Sequence, residues 1–474
     1  METQAQERGR LWTLVLVSVG LFMVVLDNRV VNVALPSIHN DFGASVQALE
    51  WTVNAFTLAY ASGIITAAAL GDRLGRRRMF VSGLVVFSAA SAACALAPSA
   101  GTLVAARAIQ GIGAAMIMPL SLTILASAFP PARRGAIVGI WGGIGGLAIA
   151  SGPLVGGAIT QGLDWHWVFW VNVPIGVLAA TLSRIRLNES FGPTTRLDLP
   201  AVVLATGGAV GIVWGLIRSG EAGWGSGQVL GLLAGGLTLI VAFLLWERRA
   251  PEPMLPLRLF TYRGFAAANA TGFLMAGAIT AAAFLTAQYF QLALGYSPLG
   301  AGLRLLPWTA TPLLIAPLGG LVSDRIGART VLTAGMLLQG IGLAWVAVIA
   351  TIGAGYGGFV IPFIVAGVGV SMALPVVPTA VLSAVHPRDI GKASGVNSTL
   401  QRLGAAFAVA IAAAVFTANG HLGTAASFTD GFRPALGVVA GLSMLGAVSA
   451  LAVTVRRRPT EVAQPANVEM AASA

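Results

Sequence analysis

Apolar residues run along this chain in long blocks separated by short turns rich in Arg, Gly and Pro. A helix needs about 20 apolar residues to cross the hydrocarbon of a bilayer. Fourteen such blocks can be placed, at 11–35, 50–70, 79–97, 102–128, 135–161, 168–187, 199–218, 228–246, 265–292, 299–322, 330–351, 357–384, 391–418 and 434–455. The pattern therefore predicts an all-α integral membrane protein. An even number of spans puts both termini on one side. The first block is too long for the apolar part of a signal peptide and is followed by no small-residue cleavage site, so it reads as a retained span.

Composition agrees. Of 474 residues, 56% are hydrophobic and only 9% charged, more apolar surface than a soluble protein can hide. A net charge of +11 suggests nucleic acid until the charges are placed. Of 28 Lys and Arg, 22 fall in the turns of one face. Basic loops stay in the cytoplasm, so both termini are expected there. Cys94 is alone, and the four His lie in loops at no metal-ligand spacing, so neither a disulfide nor a metal site is expected.

Asp27 is the one carboxylate the pattern puts deep inside a span, and an acid at that depth is a functional-site hypothesis by default. Arg107 lies near the outer end of span 4, at a similar depth once helix rise is counted. The two are expected to pair. Burial and a nearby guanidinium push a carboxyl in opposite directions, so a carboxyl held between them can load and release a proton. The alternative is a static ion pair that fixes helix packing.

A repeat divides the chain. Gly71–Asp72–Arg73–Leu74–Gly75–Arg76 follows span 2, and Ser323–Asp324–Arg325–Ile326–Gly327–Ala328 follows span 10. The expected organisation is a cytoplasmic tail (1–10), a six-helix half (11–187), two inserted helices with linkers (188–263), a second six-helix half (264–455) and a disordered tail (456–474). Repeated halves are how many secondary transporters are built.

With these residues in place the chain resembles the major facilitator superfamily, and within it the fourteen-span drug:proton antiporters. The resemblance covers nearly the whole chain. It rests on Leu26–Asp27 with Val31–Asn32–Val33–Ala34–Leu35–Pro36, on the Asp72–Arg76 turn, and on Arg107–Ala108–Ile109–Gln110–Gly111. Gly152–Pro153–Leu154–Val155–Gly156–Gly157 and the pair Gln288–Tyr289–Phe290–Gln291 and Gly295–Tyr296–Ser297–Pro298 complete it. It implies two pseudo-symmetric six-helix halves that rock about a central site. It also implies proton coupling through Asp27 and Arg107, and a cytoplasmic gate at Asp72, Arg73, Gly75, Arg76, Asp324 and Arg325. Gly152, Pro153, Gly156 and Gly157 become a packing motif that seals one state against proton leak. For the gate the alternative is orientation by charge alone, and for the motif it is ordinary small-residue packing.

Arg29 departs from the family signature, which has Thr there. It either snorkels to the outer interface or lines the pocket and meets an anionic or polar group. Asn32, Tyr289, Gln291, Asn397, Gln401 and Arg402 are further pocket candidates, with helix–helix hydrogen bonding as the alternative. The tryptophans, Trp308 among them, are expected in the interfacial aromatic belt. The resulting expectation is a proton-coupled antiporter exporting small amphipathic molecules, one proton per cycle, from a bacterial inner membrane. It would work as a monomer without cofactor, driven by the proton gradient. An importer or metabolite exporter of the same fold is the alternative. Lys392, the only Lys, lies in no phosphate-binding loop, which speaks against an ATP-driven pump. No loop is long enough for a catalytic domain, which speaks against an enzyme.

Overall fold

A computed structural model describes residues 2–192, 198–251, 253, 255–386 and 389–454. The expected tail 456–474 lies outside them, as do Arg196 and Arg388. Every regular element among the described residues is helical. The first group is α1 (Glu2–Phe42), α2 (Val46–Leu74), α3 (Arg76–Ala95), α4 (Ala100–Ala128), α5 (Pro131–Gly162), α6 (Trp167–Trp170) and α7 (Asn172–Arg186). Next come α8 (Leu199–Ala222) and α9 (Gly227–Glu247). The last group is α10 (Arg263–Gln288), α11 (Pro298–Thr309), α12 (Thr311–Ile326), α13 (Ala328–Ile349), α14 (Gly357–Ser383), α15 (Ile390–Asn419) and α16 (Ala425–Ala450). Helix starts carry the expected caps: Ser45, Ser99, Asp198, Ser226, Ser297 and Thr424 each accept a backbone N–H of the first turn.

Among the described residues thirteen helices are long and apolar enough to span a membrane, and α2 makes the fourteenth, bent by 49° between Ile64 and Thr66. The bend follows Ser62–Gly63, a pair that weakens the helix locally. Three spans differ from the pattern's expectation. The last starts at Ala425 rather than 434, where Thr424 caps its first turn. The first runs on past Leu35 to Phe42, because Ile38 is fully buried and Phe42 packs edge-on to Trp165. The tenth breaks at Ala310 between α11 and α12, where Pro312 lacks an N–H and its ring crowds the carbonyl four residues back.

The C-terminal half of α1 shares a buried cluster with the C-terminal half of α10 and the start of α16. α1 and α10 therefore begin, and α16 ends, on the other face, called here the terminal face. On the far face that shared cluster joins both six-helix bundles: Val30, Leu35 and Ile38 pack with Leu285, Phe290, Leu305 and Phe416. Toward the terminal face two separate clusters form. One holds Leu16, Phe80, Phe87 and Leu120 of the first bundle, the other Phe265, Met336, Val376 and Val381 of the second. Among the described residues, the apolar cluster of the far face crosses the seam between bundles and the two clusters toward the terminal face do not.

Hydrogen bonds and close packing tighten the far side of that seam. Gln291 Nε2 donates to Val33 O at 2.9 Å, and Leu299 N donates to Gln161 Oε1 at 3.3 Å. A Cβ at Gly157 would sit 2.6 Å from Leu299 Cα, so α5 and α11 touch backbone to backbone. The pair α8–α9 lies outside the two bundles. α8 packs Ala209, Val213 and Ile217 on Leu58 of α2 and Ala406 and Ala410 of α15, bridging the bundles, while α9 turns Leu230, Leu237, Val241 and Leu245 outward.

Cysteines placed at Gln161 and Leu299, in a Cys94→Ser background, are therefore expected to be joined by a short bifunctional methanethiosulfonate without any added substrate. A pair that is not joined, although each cysteine alone reacts with a monofunctional reagent, would contradict the closed far seam.

Candidate functional site

Asp27 sits in the middle of α1 with 2% of its surface exposed, and its carboxylate is bonded on every side. Oδ2 meets Arg107 Nη1 at 2.5 Å. Oδ1 accepts from Gln110 Nε2 and from Asn172 Nδ2, each at 2.9 Å. Arg107, 1% exposed, is held in turn: Nε donates to Thr52 O at 3.1 Å, Nη1 reaches Gln110 Oε1 at 2.6 Å, and the guanidinium lies 4.3 Å over the Phe56 ring. Ser91 Oγ closes the set. It accepts from Gln110 and Asn172 and donates to Phe169 O.

Each position follows from its helix. Arg107 and Gln110 are three apart on α4 and share a face. Ser99 and Thr102 form a capping box that fixes where α4 begins, seven residues before Arg107. Asn172 is delivered by the first turn of α7. A lone carboxylate could not be sustained there, because burying a charge is costly unless it is paired and hydrogen-bonded. The network lies wholly within the first bundle.

Two residues further along α1, about 200° around the helix, the surroundings change. Arg29 and Asn32 line a cavity between the bundles. Its other walls are Val33, Ile149, Pro153, Ile279, Ala283, Ala287, Leu305, Trp308, Thr309, Pro312 and Val370. The lining is mostly apolar with a few polar groups, as small-molecule sites are built. Asn32 Nδ2 donates to Asn28 O at 3.3 Å while its Oδ1 is buried with no partner.

The family model described as the Major Facilitator Superfamily matches residues 17–296 and 268–473. The chain belongs to that superfamily. It is similar to the tetracenomycin C resistance and export protein of Streptomyces glaucescens, 34% identical over 85% of this chain and 76% of that one. It is similar also to a puromycin resistance protein of Streptomyces alboniger, 34% identical over 94% and 92% of the two chains. Its fold matches the crystal structure of a bacterial homologue of the human lysosomal transporter Spinster, with a TM-score of 0.68 at 16% identity over 94% and 97% of the chains. This superfamily member is a multi-pass membrane transporter and not an enzyme.

The other candidates are distributed more widely in this transporter. Arg402 of α15 stands 4.5 Å over the ring of Tyr60 on α2. Tyr289 is fully buried away from the cavity, its hydroxyl donating to Thr351 O and its ring stacked 4.3 Å from Phe432. Gln291 is committed to the far seam through Val33. Gln401 Nε2 donates to Asn397 Oδ1 at 3.2 Å, and both pack on α10 at Gly272. Trp308, expected in the interfacial belt, instead lines the cavity and stacks on Phe363.

Gly152 and Gly156 let α5 press on Arg29 and Val30 of α1, while Pro153 O lies against Gly302 of α11. On the terminal face Asp72 pairs with Arg76 at 2.7 Å across the α2–α3 turn. Gly75 holds that turn at φ +111°, where an L side chain is strained. A Cβ there would also strike the carboxylate of Glu189, which accepts from Arg77 N and Arg78 N. Arg73 is exposed. In the second copy Gly327 has φ +90° and Arg325 is exposed, while the Asp324 side chain lies outside the described ones.

Four residues escaped the sequence reading. Asn172 is a polar residue in an apolar run and could have been flagged. Ser91 stands in a small-residue stretch with no signal, and Glu189 reads as an ordinary loop acid. Glu50, near the start of α2, is only 1% exposed, so Asp27 is not the sole buried acid.

Removing Arg107 would leave the Asp27 carboxylate buried and unpaired, a loss on the order of 3–5 kcal/mol. Arg107→Gln is expected to lower the thermal unfolding temperature of the detergent-purified protein strongly, and Asp27→Asn added to it to recover most of the loss. A double variant no more stable than Arg107→Gln alone would show that charge burial is not the cause.

Proposed function

We propose that this transporter is a proton-coupled exporter of small amphipathic molecules, working by alternating access in a bacterial inner membrane with its terminal face in the cytoplasm. The observation that carries the reading is the position of Asp27, a fully bonded acid two residues from the cavity lining on one helix. The drug-resistance and export relatives support the direction of transport, and the concentration of basic residues on the terminal face supports the orientation. The cycle needs no cofactor beyond the proton gradient, and a single chain suffices for it.

The chain's own residues supply a route for coupling. When the Asp27 carboxyl takes up a proton, its ion pair with Arg107 is lost and the protonated oxygen becomes a donor. The donors facing that oxygen, Arg107 at Oδ2 or Gln110 and Asn172 at Oδ1, must then rearrange. α1 carries the change to the seam, because Arg29 and Val30 pack directly on Gly152 and Gly156 of α5, and α5 packs on α11. Loading the cavity with substrate disturbs the same helix from its other side. Proton and substrate thereby bias one element whose position decides which face is open. Asp72, Arg76 and Glu189 stiffen the terminal ends of α2 and α3, so that the bundle moves as a body.

Transport in inside-out vesicles tests the reading, with cationic, neutral and anionic lipophiles and an imposed pH gradient. A compound should accumulate only with the gradient, and Asp27→Asn should abolish that accumulation while retaining ligand binding. Unimpaired gradient-driven accumulation by Asp27→Asn would mean that coupling lies elsewhere.

A further inference from the structure

The cavity between the bundles carries positive charge and no acid. Arg29 is the only ionisable residue in its lining, and among the described residues it makes no ion pair and no hydrogen bond. Asp27 is close in sequence but unavailable, with both oxygens occupied on the other side of α1. Among the described residues the Arg29 guanidinium therefore stands in the cavity lining as an uncompensated cation.

An unpaired guanidinium at membrane depth is expensive, and such residues mark substrate paths. The rigid fork of Arg fits a carboxylate bidentately. The rest of the lining fixes the body of the ligand. Ile149, Ile279, Leu305 and Val370 give an apolar wall, with the face or edge of Trp308 beside them. Asn32 Oδ1, buried and unpartnered, adds an acceptor for an N–H or O–H on the same molecule. A cationic lipophile would meet only repulsion.

We propose that the transported molecule is an amphipathic organic acid whose carboxylate docks on Arg29 while its aromatic or aliphatic body lies against Trp308 and Leu305. The proposal rests on the export reading given above.

Equilibrium dialysis of the detergent-purified full chain tests this, with labelled 2-naphthoate and its methyl ester as probes of equal size. The acid is expected to bind at least about tenfold tighter than the ester, the scale of one charge-assisted hydrogen-bonded pair. Arg29→Gln should bring acid binding down to the ester's level, and Arg29→Lys should keep part of the preference. A cooperative thermal unfolding transition like that of the unaltered protein shows that the variants are folded. Equal binding of acid and ester, acid binding untouched by Arg29→Gln, no acid binding up to its solubility limit, or tighter binding of the matched naphthylmethylammonium would each overturn the proposal. The export reading fails separately, if the pH gradient drives no compound of any charge in vesicles. A cation moved by the gradient would sink the acid preference and leave export standing.

Discussion

The ion pair between Asp27 and Arg107 sets the terms for the first bundle. A carboxylate at this depth is tolerable only with a full set of donors: Arg107 and Gln110 from α4 and Asn172 from α7 supply them, while Ser91 of α3 and the Thr52 carbonyl of α2 accept from those donors and orient them. The pair is surrounded by Phe56 and Phe169, so little screening reaches it. What makes the arrangement more than packing is its place on α1. The same helix presents Arg29 and Asn32 to the cavity and Val30 to α5, so the acid, the cavity and the seam share one rigid element.

The seam gives that element something to act on. On the far face the bundles meet through small residues and backbone, with Gly157 against Leu299 and Gly302 against Pro153. Contacts of this kind depend on close approach and are lost quickly when one helix shifts, since packed interfaces hold discrete arrangements rather than stretching. On the terminal face the bundles keep their own cores and their own stiffened turns. A body built this way can rock about its middle without unpacking either half.

Much of this was legible in the chain. The apolar blocks located the spans, because a bilayer imposes a length that sequence must match, and the Asp–Arg turns located the repeat. Asp27 and Arg107 could be paired from helix rise alone, although the true end of α1 at Phe42 shows that the depth was right for a partly wrong reason. The break at Ala310 was not legible: prolines at 307 and 312 permit a kink, but which one opens depends on what packs behind it. Ser91 and Glu189 were invisible for a related reason. A small hydroxyl or a loop acid acquires its role only from the tertiary partner it meets. Arg29 was the opposite case, a residue whose oddness was plain in the sequence but whose direction needed the fold.

The central claim is that the Asp27 carboxyl changes protonation within the working cycle. Infrared difference spectra of the purified transporter, recorded across a pH titration with and without a bound substrate, read that group directly. The account predicts a carboxylic-acid C=O band that appears as pH falls, shifts its midpoint when substrate binds, and is absent in Asp27→Asn. A spectrum in which no such band depends on Asp27, with Arg107 paired at every pH that supports transport, would contradict it.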